Sequence, residues 1–305
     1  LDYERPAGKW HTNSFGTNIN LEAVAFLKKL NEAVHSMNDG ILMIAEEATT
    51  FPSITKSVED GGLGFDYKWN MGWMNDTLSY IKVDPLFKQY DHNKITFQLS
   101  YAFSEKYILP LSHDEVVHGK LSLYNKMPGQ YDDKFLSLQT YYMYMMSHPG
   151  KKLTFMGDEI AQVIEWRDDR ELDWLLLQYP MHQKFQNFVA KLNDTYKTLK
   201  PLYNLDDSWD GFNWLIVDDK DHNTFAYERY DQEKNKVIVI LNFSFSKWDG
   251  YYVNAESGTY KIVMASNDEE FGGFNKMIGK IIKVENNKLM IDLPGNCGVF
   301  IIKEK

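Results

Sequence analysis

Cysteine is almost absent. Cys297 is the single one in 305 residues, so no internal disulfide can staple the fold, and the chain fits a reducing compartment. No run of about 18 apolar residues occurs, which leaves no candidate for a membrane-spanning helix; together these predict a cytoplasmic setting with no membrane partner. Phosphate-cradling glycine loops are missing, as are Cys or His pairs at zinc spacing and internal repeats. Asp218-Asp219-Lys220-Asp221 lacks the glycine and terminal acid of a calcium loop and reads as a turn. Neither a cofactor nor a metal is expected. Positive charge is in short supply, with 33 Lys and Arg against 43 Asp and Glu, a net charge of -10. That balance argues against nucleic acid as a partner and leaves a neutral polymer open.

What is present is an ordinary globular composition, 44% hydrophobic and 25% charged, with a generous 15% of aromatics. The informative stretch is Tyr107-Ile-Leu-Pro-Leu-Ser-His-Asp-Glu-Val-Val-His-Gly-Lys120. Its apolar half, Ile108 to Leu111, has the length of a buried strand and breaks abruptly into His113, Asp114, Glu115 and His118. Such groups beside an apolar strand must be paired, hydrated or used, so an ion-pair network and a catalytic cluster both fit. The event recurs. Ile41 to Ala45 ends in Glu46 and Glu47, and Leu153 to Met156 ends in Gly157, Asp158 and Glu159. Apolar strands separated by helical pattern predict a parallel βα array, and a β/α barrel builds its active site at the C-terminal ends of its strands. Glu46, Asp114 and Asp158 or Glu159 would then converge, and paired carboxylates in one cleft are the equipment of glycoside cleavage.

In chain order, residues 1 to 19 read as a loop and Asn20 as the cap of a helix carrying Leu21, Val24, Leu27, Leu30 and Val34 at helical spacing, ended by Asn38-Asp39-Gly40. A long loop runs from Thr49 to Gly64, Phe65 to Trp69 is a short strand, and Thr77 to Val83 and Phe97 to Phe103 are helical. Trp69 and Trp73 fit either core packing or a platform for a sugar face. Leu121 to Asp133 reads as a loop, Phe135 to Ser147 as a well-buried helix whose methionines fill core, and Ile164 to Trp174 as a lid or a solvated face. A last helix through Phe185 and Tyr196 ends before Pro201. Beyond it the period becomes alternating, with strands at Thr224 to Tyr230, Lys236 to Phe243, Tyr260 to Met264, Lys280 to Val284, Lys288 to Leu293 and Val299 to Lys303. The expected domains are residues 1–200, α/β, and 201–305, an all-β sandwich that buries Cys297.

Several blocks together resemble 1,4-α-glucan branching enzymes of the α-amylase superfamily. They are Ala45-Glu46-Glu47-Ala48-Thr49, Gly62-Leu63-Gly64-Phe65, Tyr67-Lys68-Trp69-Asn70-Met71-Gly72-Trp73-Met74, Leu109 through Lys120, and Phe155-Met156-Gly157-Asp158-Glu159. The His-Asp-Glu element alone marks the superfamily; its extension to Val-Val-His-Gly-Lys and the Lys-Trp-Asn-Met-Gly-Trp block are specific to branching enzymes. The resemblance implies the C-terminal half of a (β/α)8 barrel and a retaining mechanism, in which a glucan 6-hydroxyl replaces water as acceptor and α-1,4-glucan serves as both donor and acceptor. It implies Glu46 as general acid/base, Asp114 as transition-state stabiliser, and His113, Trp69, Asn70, Trp73 and His118 as substrate-binding residues. In the family the nucleophilic aspartate lies just upstream of the segment that Leu1-Asp2-Tyr3 resembles, so Asp2 is not that group and these residues alone are expected to be inactive. Two rivals share the same residues: a hydrolytic or trehalose-forming relative, and a non-enzymatic glucan-binding fragment using Trp69, Trp73 and Trp166.

Overall fold

The computed structural model describes residues 1–2, 5–6, 8–37 and 40–304. The helix stop expected at Asn38 and Asp39, and Tyr3, lie outside them. Asn20 caps the first helix as its chemistry predicts, its Oδ1 accepting from the Ala23 amide at 2.8 Å, and α1 runs Leu21–Met37. It leads to a four-stranded parallel sheet in sequence order: β1 (Ile44–Ala45), β2 (Tyr67–Trp69), β3 (Tyr107–Pro110) and β4 (Lys151–Leu153). The strands are shorter than their apolar runs. Thr154 to Met156 leave the sheet because Asp158 draws the Phe155 amide into a turn at 3.2 Å and Gly157 turns at a φ of 92°. Among the described residues β1 pairs with β2 alone, and apolar Phe26 on α1 and Leu42 and Ile44 at β1 are exposed.

Helix α2 (Met71–Ile81) follows β2; where a helix was expected over Phe97 to Phe103 there is only a 3-10 turn, Phe97–Ser100, preceded by α3 (Asn93–Thr96). The stretch 121–133 holds α4 (Leu123–Lys126) rather than a plain loop. Helix α5 (Tyr131–Ser147) is buried on every face from Phe135 onward, and α6 (Pro180–Thr198) closes the α/β part.

The β part places β5 (Phe212–Asp219), β6 (Thr224–Tyr230), β7 (Lys236–Asn242), β8 (Trp248–Asn254), β9 (Gly258–Ala265), β10 (Ile281–Val284), β11 (Lys288–Leu293) and β12 (Cys297–Lys303) in two antiparallel sheets, ordered β10-β9-β12-β7-β6-β5 and β11-β8. Strand period 2 divides the larger sheet's side chains. Phe225, Tyr227, Val237, Val239, Leu241 and Phe300 join the core shared with α5, whereas Ala226, Ile238, Ile240, Val299 and Ile301 face the core shared with Leu289, Ile291 and Leu293 of β11. Gly298 permits the close approach of α5, since a Cβ there would stand 2.8 Å from the Met143 Cβ. One continuous core therefore bolts the β sandwich to the partial barrel through α5.

Candidate active site

Parallel pairing delivers the C-terminal ends of β1 to β4 to one edge of the sheet. Glu46 follows β1 directly, Trp69 and Asn70 end β2, His113 and Asp114 follow β3, and Asp158 and Glu159 follow β4. With neighbouring strands about 4.8 Å apart, Glu46 leaves the sheet roughly 10 Å from the end of β3, within side-chain reach across a substrate.

After β3 the chain turns in a 3-10 helix, His113–Val116, closed by a capping box. Ser112 Oγ accepts from the Asp114 amide at 3.3 Å, and the buried Glu115 carboxylate accepts from the Ser112 amide and hydroxyl, each at 2.7 Å. The Ser-x-x-Glu spacing that encodes this box commits Glu115 to structure. His113 and Asp114 are left outward, each about half exposed, with Nε2 of the imidazole 3.2 Å from the Asp114 carboxylate. The rings of Phe155 and Trp166 stand 6.0 and 6.4 Å from the His113 ring. His118 is exposed further along the same loop, at a φ of 57°.

The two glutamates after β1 divide their work. Glu47 is half-buried and its carboxylate accepts from the Thr49 amide at 2.5 Å. Glu46 is exposed and, among the described residues, free of hydrogen bonds and ion pairs; both border a cleft of about 320 Å³ with Val24, Leu27 and Phe65. The acids after β4 are different. Burial, reinforced by the charges of Glu159 and Glu115 and opposed by the Phe155 amide and Lys126, raises the Asp158 carboxyl well above the usual range. Glu159 accepts from the Gly157 amide at 2.8 Å, in its own turn. Asp158 is therefore buried beneath the strand ends, and the expected third carboxylate does not open onto them as Asp114 does.

Trp69 and Asn70 border a cleft of about 590 Å³ with Gly72, Asp76 and Tyr101. Asn70 is buried, and its Oδ1 is the N-cap of α2, accepting from the Trp73 amide at 2.9 Å. That cap starts the helix at Met71, several residues before the expected Thr77. Trp73 contradicts its assignment as a sugar-binding residue: it is 0% exposed and its ring stacks on Tyr141 and Tyr144 at 6.1 and 6.3 Å. Position 73 lies on the inward face of α2, where a large apolar ring is buried in the core. Trp73→Phe should accordingly lower stability by roughly 1–3 kcal/mol, read as a drop in Tm, while glucan retention in affinity gels stays at the wild-type level.

The clefts elsewhere are separate. One of about 770 Å³ lies between the end of α6 and the β sandwich, bordered by Lys200, Asp231, Glu233 and Lys303, away from the sheet edge that gathers Glu46 and Asp114. No group of three or more His, Cys, Asp or Glu side chains is arranged to hold a metal among the described residues, and no helix there is long and apolar enough to cross a membrane.

Residues 214–304 match the family model described as the alpha amylase C-terminal all-beta domain. A 1,4-alpha-glucan branching enzyme of Clostridium perfringens strain SM101 is 46% identical over 91% of this chain, which covers 42% of that protein. One of Rhodopseudomonas palustris strain BisA53 is 46% identical over 100% of the chain and 43% of its own length. The chain thus spans about two fifths of the curated relatives it matches. Among solved structures, an Anoxybacillus alpha-amylase shares the fold with a TM-score of 0.65 at 16% identity, over 94% of this chain and 57% of that one. A pullulanase from Bacillus acidopullulyticus does so at 0.64 and 14%, over 92% and 36%. A partial β/α barrel joined to an all-β domain and this degree of identity lead to one conclusion: over its length the chain is similar to part of the 1,4-alpha-glucan branching enzymes, with a C-terminal domain of the alpha amylase all-beta type.

Proposed function

We propose that these residues are part of an enzyme that cuts an α-1,4-glucan chain and rejoins the released segment to a glucan 6-hydroxyl, making α-1,6 branches of the glycogen type, in the cytoplasm. The single observation that carries this reading is the placement of an unencumbered Glu46 after β1 and of the exposed His113-Asp114 turn after β3, at the C-terminal edge of one parallel sheet. Its sequence setting matches proteins whose names state branching.

In this reading Glu46 is the general acid/base. It protonates the departing glycosidic oxygen, then removes the proton of the acceptor hydroxyl. Asp114, ionised, braces the positive charge that develops at the sugar ring, His113 hydrogen-bonds that sugar, and His118 and Trp69 extend the contact along the chain. The nucleophilic carboxylate is assigned to none of these residues. Residues up to about 200 form the catalytic part and those beyond it the accessory β domain.

The test is to incubate the full-length gene product carrying this sequence with amylose and follow α-1,6 anomeric signals by NMR. The wild type should accumulate them. Asp114→Asn should slow that by about a hundredfold while retaining the fold, the scale expected for losing one charge-stabilising group. Undiminished branching in Asp114→Asn would remove Asp114 from the mechanism.

A further inference from the structure

The loop that carries Asp114 and His118 has an unusual backbone. Within four residues His118, Gly119 and Leu121 take φ of 57°, 80° and 68°. For the two non-glycine residues this left-handed conformation costs about 1–2 kcal/mol each, so it persists only where the surroundings over-determine it.

Two side chains do so. Glu165 accepts from the Gly119 amide at 3.0 Å and from the Leu121 amide at 2.6 Å, gripping the loop on both sides of Lys120. These two bonds hold its carboxyl below the usual range. Lys126, buried at 4% exposure, directs its ammonium at three main-chain carbonyls, those of Glu115, Lys120 and Leu121. An ammonium has three donors, and all are used within one loop. A line of further bonds fastens the same two segments: Trp166 N to Val116 O at 3.0 Å, and Ser122 Oγ and Asn125 Nδ2 to Val163 O at 2.8 and 2.7 Å. The strand-side end of the loop is fixed separately by the Ser112–Glu115 box. Asp114 thus lies between a rigid cap and a clamp.

We infer that Lys126 and Glu165 are positioning residues that hold the His113–Leu121 loop in its strained form, and so set where Asp114 and His118 meet the glucan. The inference rests on the branching reading above for its functional consequence, and on the loop geometry alone for its structural one. Both act on the loop through its main chain. Loosening the clamp should therefore lower turnover more than binding. A shift of about 1 Å in a reacting group is enough for a hundredfold loss.

Two measurements separate the parts. Hydrogen exchange on the full-length protein reports the Gly119 and Leu121 amides directly. Both should exchange at least about tenfold faster in Glu165→Gln and Lys126→Met, while amides of β3 and α5 keep their protection. Kinetics on amylose should show kcat falling about 10- to 100-fold in Lys126→Met with KM within about twofold, and Lys126→Arg, which keeps a charged multiple donor, recovering most of the loss. Unchanged exchange at Gly119 and Leu121, or a Lys126→Met loss lying wholly in KM, would overturn the clamp. A wild-type protein without glucan turnover would instead defeat the branching reading, and the exchange data would still decide whether the clamp exists. Should Lys126→Met fail to fold, Glu165→Gln and Lys126→Arg, both close in shape to the originals, carry the same comparison.

Discussion

Glu46→Gln is expected to reduce glucan transfer by roughly a thousandfold or more in the full-length protein, because the amide keeps the shape of the side chain and cannot give up a proton to the leaving oxygen. Stability should barely change. Glu46 is exposed and makes no hydrogen bond or ion pair among the described residues, and substitutions at such positions stay within about 0.5 kcal/mol. Glu47→Gln is the internal control. Its carboxylate already serves the Thr49 amide, so this change should disturb the turn after β1 modestly and leave most of the turnover. The comparison is made on kcat with amylose, with melting curves alongside. A Glu47→Gln loss equal to that of Glu46→Gln would transfer the acid/base role or show that both act through the local turn.

The largest stability effect is expected far from the site, where the α/β and β parts meet. Arg229 on β6 is 0% exposed. Its guanidinium donates to the carbonyl oxygens of Gly211 at 3.0 Å and Ser147 at 2.5 Å and to the Asp206 carboxylate at 2.7 Å. Ser147 is the last residue of α5, so this one side chain ties that helix, the 205–211 turn and β6 together. Asp206 also accepts from Lys151 Nζ at 2.9 Å. Burial pushes the Asp206 carboxyl up, but the charges of Arg229, Lys152 and Lys151 outweigh it and hold it below the usual range. Removing one partner of such a pair strands a buried charge, at a cost of about 3–5 kcal/mol. Asp206→Asn and Arg229→Leu should each show it in urea unfolding.

The pH sign follows from linkage. A carboxyl lowered on folding contributes stability that is complete above its unfolded value and is lost as pH falls through its folded one. Wild-type stability should thus fall in acid, and the Asp206→Asn curve should be flatter over that range. The His148 imidazole nearby, pulled down to about 3 by burial, adds its own loss of stability as pH falls below the unfolded histidine range, and it does so in both proteins, so the Asp206 contribution is read from the difference between the two curves.

The parts of this molecule that could be read from sequence are those encoded within a few residues. Apolar runs that break into acids gave the strand ends and with them Glu46 and Asp114. The Ser112–Glu115 spacing encodes its own cap, although the acid of that cap read equally well as a catalytic group. Alternation marked six of the eight strands of the β domain. The two that escaped, β5 and β8, border their sheets and bury few side chains, so their residues lack a clean alternating face. Trp73 is not legible from sequence because a block of aromatic and amide groups says nothing about which way a ring points; the helix phase set by the Asn70 cap decides that. The grip of Lys126 and Glu165 had no local signal at all, since it joins segments that meet only in the folded chain.

The central claim is transfer rather than hydrolysis, and one assay addresses it most directly. The full-length gene product is incubated with amylose while iodine colour and reducing ends are followed in the same samples. The account predicts loss of colour with no matching rise in reducing ends, because each bond broken is replaced by an α-1,6 bond. Loss of colour with an equal rise in reducing ends would contradict it and make the protein a hydrolase.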